Sequence, residues 1–393
     1  MISDLFALFQ RYFDQQPQAL IRSPSRVNII GEHTDYNGGF VLPMALEIAT
    51  SMAVSRRDDT VVRVMSVNFD QQCAIDLNDL FSTNKDTQHW FEYVKGVAWA
   101  MQKSLGQPLR GFDAVVSANV PIGAGLSSSA SFEMAIARAL TWSNALPWDP
   151  VIAACNGKSA ENDWVGVNCG IMDQLICAAA QSDNALLIDC QSLATEPVPL
   201  PKNTVVVVMD TCARRDLVTS AYNDRRQACE DAAQFFGLSS LRQITLDELI
   251  AAKEHMDETA YKRAFHVLME NQRVQAAVLA MKNNDAKALG ELMKASHASL
   301  DQYFEVTNDA LNQIVEIAQN IEGCFGARMT GAGFGGCAVA LVTEQSVADF
   351  IAEVTCQYRQ RTALEAKLYA SKAMGGCDIE AFPLHDGAVA SHI

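Results

Sequence analysis

The order of apolar and polar positions is strand-like over Leu20–Arg22, Arg26–Ile30, Ala49–Ser55, Val61–Val67 and Cys73–Ile75. A helical pattern follows over His89–Leu105, then a β-branched, alternating run from Gly111 to Val120 and an amphipathic helix from Ser131 to Leu140. Helices over Pro150–Asp163 and Ile171–Ala180 lead to strands Ala185–Asp189 and Val205–Asp210. From Leu217 to Asn320 the period changes to that of long helices, with Asp257–Asn283 and Ala286–Tyr303 the clearest. Strands return at Ala338–Val342 and Leu368–Ser371, around a helix near Val347–Arg361. The pattern predicts an α+β chain in two lobes, with the proline-rich stretch Glu196–Lys202 and the nearby turn at Asn203 as candidate junctions.

Between the predicted strand and helix lies Pro121 to Ser131, a glycine and serine loop. Strand, glycine loop and helix form the context of a phosphate site, because glycine lets amides approach an anion and the helix adds its positive N-terminus. Two other nucleotide motifs fail on context. Gly157, Lys158 and Ser159 look like the end of a P-loop, but the glycine required five residues earlier is Ile152. Gly331 to Gly336 has dinucleotide-binding spacing, yet an apolar strand-like run, Cys337–Val342, follows it instead of a helix.

Composition narrows the field. The chain has 393 residues, 49% hydrophobic and 19% charged, which predicts an ordered globular protein larger than one core. Its formal charge of -16 argues against nucleic acid or an anionic membrane as partner. The same charge accords with a soluble monomer and leaves a dimer open. Met1–Asp14 lacks the charged-then-apolar order of a secretion signal. Ala114–Phe132 is uncharged, but Asn119, Pro121 and its glycines and serines argue against a membrane span. The eleven cysteines show no paired or metal-binding spacing. These features predict a soluble protein of the reducing cytoplasm.

A second loop, Gly31 to Gly39, gathers Glu32, His33, Asp35 and Asn37 after a short apolar strand. Such a cluster suits recognition of adjacent hydroxyls, and a solvated turn explains it equally well. Further on, Glu161 falls near a helix end and Asp173 near the start of the next helix. Isolated carboxylates are most often surface groups or caps. Asp173, however, sits inside the apolar run Cys169–Ala180, which predicts partial burial and a partner.

Three segments together resemble the signatures of the GHMP small-molecule kinases: Gly31–Asn37, Pro121–Ser131 and Met329–Cys337. The first resembles that of galactokinases in particular, and Asn168–Leu175 and Ala221–Arg226 extend the likeness over nearly the whole chain. The resemblance implies the two-lobed GHMP kinase fold, with a mixed-sheet lobe over 1–200, a more helical lobe with an antiparallel sheet over 201–393, and the site in the cleft. It also implies ATP-dependent phosphorylation of the C1 hydroxyl of α-D-galactose. Gly123, Ala124, Gly125, Leu126, Ser127, Ser128 and Ser129 would then cradle the ATP phosphates, Ser129 and Glu161 would hold Mg²⁺, and Ser66 would contact the nucleotide. Asp173 would be the catalytic carboxylate with Arg26 as its partner, and Glu32, His33, Thr34, Asp35, Gly170 and Tyr222 would line the sugar site.

One position departs from the family pattern, which has glycine where this chain has Ser25. A left-handed backbone there would strain a serine and displace Arg26, whereas simple close packing would accept it. Two alternatives stand beside the galactose reading. One is a related sugar kinase acting on N-acetylgalactosamine or arabinose. The other is a kinase-like sugar sensor, which the presence of Arg26, Ser129, Glu161 and Asp173 disfavours.

Overall fold

The structure, a computed structural model, describes residues 2–81, 89–121, 125–213 and 218–382. Its strands are β1 (Ala19–Ile30), β2 (Phe40–Arg56), β3 (Val61–Ser66), β4 (Gln71–Asp76), β5 (Phe112–Ala118), β6 (Asn184–Asp189), β7 (Thr195–Pro199), β8 (Thr204–Asp210), β9 (Cys324–Met329), β10 (Cys337–Thr343), β11 (Lys367–Ser371) and β12 (Asp378–Ala381). The first sheet runs β12-β1-β2-β5-β3-β4, with β6 on β2 and β7 on β6. It is mixed, because β3 and β5 pair in parallel. The second sheet, β11-β8-β10-β9, is antiparallel throughout.

The unbroken apolar runs of β8 and β10 follow from burial on both faces. In β8, Val207 and Met209 pack with Phe304, Leu311 and Phe350 in the helical half. Val206 and Val208 face the other way, into a core shared with Val27, Ile29, Leu42 and Met44 of the first sheet. Period-two alternation thus joins the two sheets through a common apolar layer. A third core lies where the helices Phe91–Leu105, Ser128–Ser143 and Met172–Ala179 cover the first sheet.

The structure corrects several sequence boundaries. The two short strands expected at Leu20–Arg22 and Arg26–Ile30 are one strand, β1, whose pairing with β2 shifts register between Pro24 and Arg26. The shift lets the ladder pass proline without ending. The expected junction at Glu196–Lys202 is partly strand: β7 tolerates Pro197 and Pro199 because it pairs on one side only, with β6. The helix from Pro150 continues past Ser159 as a π turn, Ala160–Val165, closed by Gly166 at φ 91. The terminal strand β12 returns to pair with β1. Among the described residues, no helix is long and apolar enough to cross a membrane.

Candidate active site

β1 and β2 are joined by the loop that carries the polar cluster. Gly31 leaves β1 at φ 103, and a Cβ there would lie 2.7 Å from the Phe40 carbonyl. Only glycine accepts that combination. The Thr34 hydroxyl donates to the Gly31 and Phe40 carbonyls at 2.8 and 2.7 Å, and Asn37 Nδ2 donates to the His33 carbonyl at 2.9 Å. Thr34 is buried and staples the loop, whereas Glu32, His33 and Asp35 line a cleft of about 360 Å³.

Arg26 and Asp173 meet at the base of this cleft. Arg26 Nε donates to Asp173 Oδ1 at 2.8 Å and Nη2 to Oδ2 at 2.6 Å, a bidentate pair that fixes the carboxylate plane. Arg26 Nη1 donates to the Gly125 carbonyl at 2.8 Å. The Ser127 hydroxyl donates to Asp173 Oδ2. Burial opposes the charge of Arg26, and Asp173 outweighs it, so the guanidinium pKa is raised.

Gly125, Ser127, Ser128 and Ser129 bring the start of the helix Ser128–Ser143 to the same cleft. Ser127 stands at its N-cap with φ 57, and its own side chain does not cap the first turn. Those amides have no intrahelical acceptor and suit an anion. The Leu126 side chain points into the shared core instead. Gly123 and Ala124 lie outside the described residues. Ser66 ends β3, paired with Gln71 and Val116, and does not line the cleft.

Glu161, on the π turn, faces the cleft beside Ser129. Its carboxylate accepts from Gln174 Nε2 at 2.7 Å, from the Cys169 thiol at 3.3 Å and from the Ser129 hydroxyl. Burial raises its pKa against those hydrogen bonds, with the Asp173 charge adding to the rise. Gln174 Nε2 also donates to Glu133 at 3.0 Å, and burial next to Glu161 drives the Glu133 carboxyl well up. Sequence reasoning passed over Glu133. Its signal was a lone carboxylate within the apolar run of the helix.

At the other end, four donors hold Glu32. Thr330 Oγ1 at 3.0 Å and the Gly331 amide serve one carboxylate oxygen; Arg328 Nη1 at 3.2 Å and Asn28 Nδ2 serve the other. Gly331 and Ala332, from the glycine loop between β9 and β10, therefore reach the cleft wall. Arg328 went unnoticed in the sequence although it is fully buried. The His33 ring packs 4.6 Å from that of Phe304, and its Nδ1 lies 2.8 Å from the Tyr36 hydroxyl. Burial, with the His266 charge, lowers its pKa to about 3, so the imidazole is neutral.

Asp35 approaches Gly170 so closely that a Cβ there would lie 1.7 Å from Oδ2. Burial pushes the Asp35 carboxyl up to about 6, Asp173 adds to the rise, and the Tyr36 amide and Lys158 oppose it. Tyr222, Asn223 and Tyr36 complete this side. Ser25 has none of the left-handed backbone that would strain it. It is buried in β1, so the departure from glycine costs no backbone strain.

The cleft thus combines a carboxylate held by an arginine, a helix start and a polar, aromatic-walled recess. In sequence, the galactokinase galactose-binding signature matches residues 7–56, the GHMP kinases N terminal domain residues 92–181, and the GHMP kinases C terminal region residues 277–360. Galactokinase from Lactococcus lactis, solved with galactose, is 35% identical, with a TM-score of 0.91, over 96% of this chain and 99% of its own. Mevalonate kinase from Methanococcus jannaschii (19% identity, TM-score 0.66, 91% and 98% covered) shares the fold. So does Streptococcus pneumoniae phosphomevalonate kinase (15%, 0.63, 89% and 99%). With these signatures in order and that likeness running almost end to end, the chain belongs to the galactokinase family of the GHMP kinases.

Proposed function

We propose that this enzyme transfers the γ-phosphoryl group of ATP to the C1 hydroxyl of α-D-galactose, giving galactose 1-phosphate and ADP. The observation that carries the reading is the Arg26–Asp173 pair, which shares one cleft with the helix start at Ser127–Ser129 and with the loop Glu32–Asp35. The galactose-binding signature, which spans that loop and Arg26, supports the sugar.

In this reading Asp173 accepts the hydrogen bond of the C1 hydroxyl and takes its proton as the oxygen–phosphorus bond forms. Arg26 holds the carboxylate in plane and offsets charge that grows on the transferred group. Asp35, His33 and Tyr222 meet the sugar hydroxyls, Glu32 and Gly170 shape the wall, and the first-turn amides with Ser127–Ser129 receive the phosphates. Ser129 and Glu161 offer hard oxygen ligands, and among the described residues no group of three His, Cys, Asp or Glu could cage a metal. That donor set suits Mg²⁺, which keeps waters and shares ligands with phosphates. When bound there, Mg²⁺ would neutralise phosphate charge. Ser66, at the end of β3, would contact the nucleotide, and Thr34 would support the sugar site by stapling its loop. A cytoplasmic setting is supported by the burial of Cys177, Cys229, Cys337 and Cys377 as small apolar residues.

The test is ADP release with ATP and a panel of galactose, N-acetylgalactosamine, arabinose and glucose. Galactose is expected to turn over fastest; a faster rate with another sugar, or sugar and ATP binding with no ADP released, overturns the reading.

Asp35 adds a pH signature. A sugar hydroxyl that donates to its carboxylate favours the ionised form, so binding releases a proton. Galactose affinity should therefore rise with pH through about 6 and then level off. Calorimetry in buffers of different ionisation enthalpy reads the proton directly. A profile without this rise, or one that Asp35→Asn leaves unchanged, counts against the role of Asp35.

A further inference from the structure

We infer that Ser25 is a positioning residue for phosphoryl transfer, acting through the backbone of the phosphate loop. The Ser25 hydroxyl donates to the Leu126 carbonyl at 2.7 Å, in a buried hydrogen bond. The next residue, Arg26, donates to the preceding loop carbonyl, that of Gly125, at 2.8 Å. Two successive side chains of β1 thus grip two successive carbonyls of the loop. Ser25 lies at the register shift and has no partner in the β1–β2 ladder, and among the described residues its hydroxyl bonds to the loop.

What the grip holds is Ser127. This residue adopts φ 57, a conformation that non-glycine residues keep only where their surroundings impose it. Its hydroxyl donates to Asp173. The chain of constraint runs from Ser25 to Leu126, to the strained Ser127 and then to the carboxylate that Arg26 also holds. Without the Ser25 hydroxyl, a buried carbonyl loses its donor beside the strained residue, and Ser127 can relax away from Asp173. The inference rests on the proposed phosphoryl transfer for its catalytic meaning, but the hold on the loop is a property of the protein alone.

The test compares wild type, Ser25→Ala and Ser25→Cys. Ser25→Ala is expected to lower kcat about tenfold, the equivalent of one buried hydrogen bond, with the galactose KM little changed. Amide exchange in the ligand-free protein should speed up over Gly125–Ser131 and stay unchanged over Val27–Ile30. Ser25→Cys, which keeps a weak donor at similar volume, should recover part of both effects and carries the comparison if the alanine variant does not fold. A kcat for Ser25→Ala close to wild type overturns the inference. So does loop exchange that does not change. If wild type fails to phosphorylate galactose, the functional reading falls, while the exchange data still decide whether Ser25 holds the loop.

Discussion

Replacing Asp173 with asparagine is expected to lower kcat by roughly a hundred- to ten-thousandfold, the range for loss of a positioned general base. Asparagine matches the shape of aspartate but has one acceptor oxygen and cannot take the hydroxyl proton. Three donors converge on the Asp173 carboxylate: Arg26 Nε, Arg26 Nη2 and Ser127 Oγ. In the variant one of the two Arg26 donors must face an amide NH₂, so the Arg26 fork is held less firmly as well. Asp173 is partly exposed, with a side chain 28% accessible, and solvent softens the cost to folding. The effect should therefore appear in turnover more than in stability. Single-turnover kinetics on protein of verified native circular dichroism reads the chemical step, and near-normal turnover by that folded variant would remove Asp173 from the role of base.

The second large effect concerns Arg328, which is not among the residues that line the cleft. Its guanidinium is fully buried, 3.2 Å from Glu32 and 3.8 Å from Glu270, and it donates to Ser296 Oγ at 3.1 Å and to the Asn28 and Ile29 carbonyls at 3.3 Å. Arg328→Met keeps much of the volume but leaves two buried carboxylates short of positive charge. Breaking a buried pair from one side costs about 3–5 kcal/mol, whereas replacing every partner together can be neutral. The variant should unfold at clearly lower temperature and denaturant concentration.

A pH signature separates charge from volume. Burial raises the Glu270 pKa, but Arg273, His266 and Arg328 together bring it down to about 2, from an ordinary 4.5. A depressed carboxyl stabilises the fold above its unfolded pKa and loses that contribution as pH falls through the folded value. Wild type should lose stability as pH falls from about 4.5 toward 2, and Arg328→Met should lose less over that window. A variant that melts with wild type, or matches its acid profile, would show that Arg328 acts through packing alone.

Much of the architecture was legible in the sequence because it is local. The long helices, the apolar runs of β8 and β10 and the glycine loop before the helix at Ser128 each write their period or turn chemistry into neighbouring residues. Boundaries were read less well where tertiary pairing overrode local punctuation. β1 runs through Ser23–Ser25 because β2 pairs along its length, and β7 forms across prolines because β6 needs only one edge of it.

By itself the sequence determined the α+β class, the order of most elements, the family signatures and the residue types available for chemistry, since all of these reside in short-range pattern. Only the tertiary structure decided which of those residues meet. Arg26 and Asp173 are 147 positions apart, Glu32 and Arg328 are 296 apart, and Ser25 and Leu126 are 101 apart. Periodicity carries no information about such pairs. A buried charge or hydroxyl takes its partner from whichever element packs against it, and the need to satisfy every buried polar group then fixes the geometry. The same packing turned Thr34 inward as a staple and drew Glu133 and Arg328 into the support of the cleft.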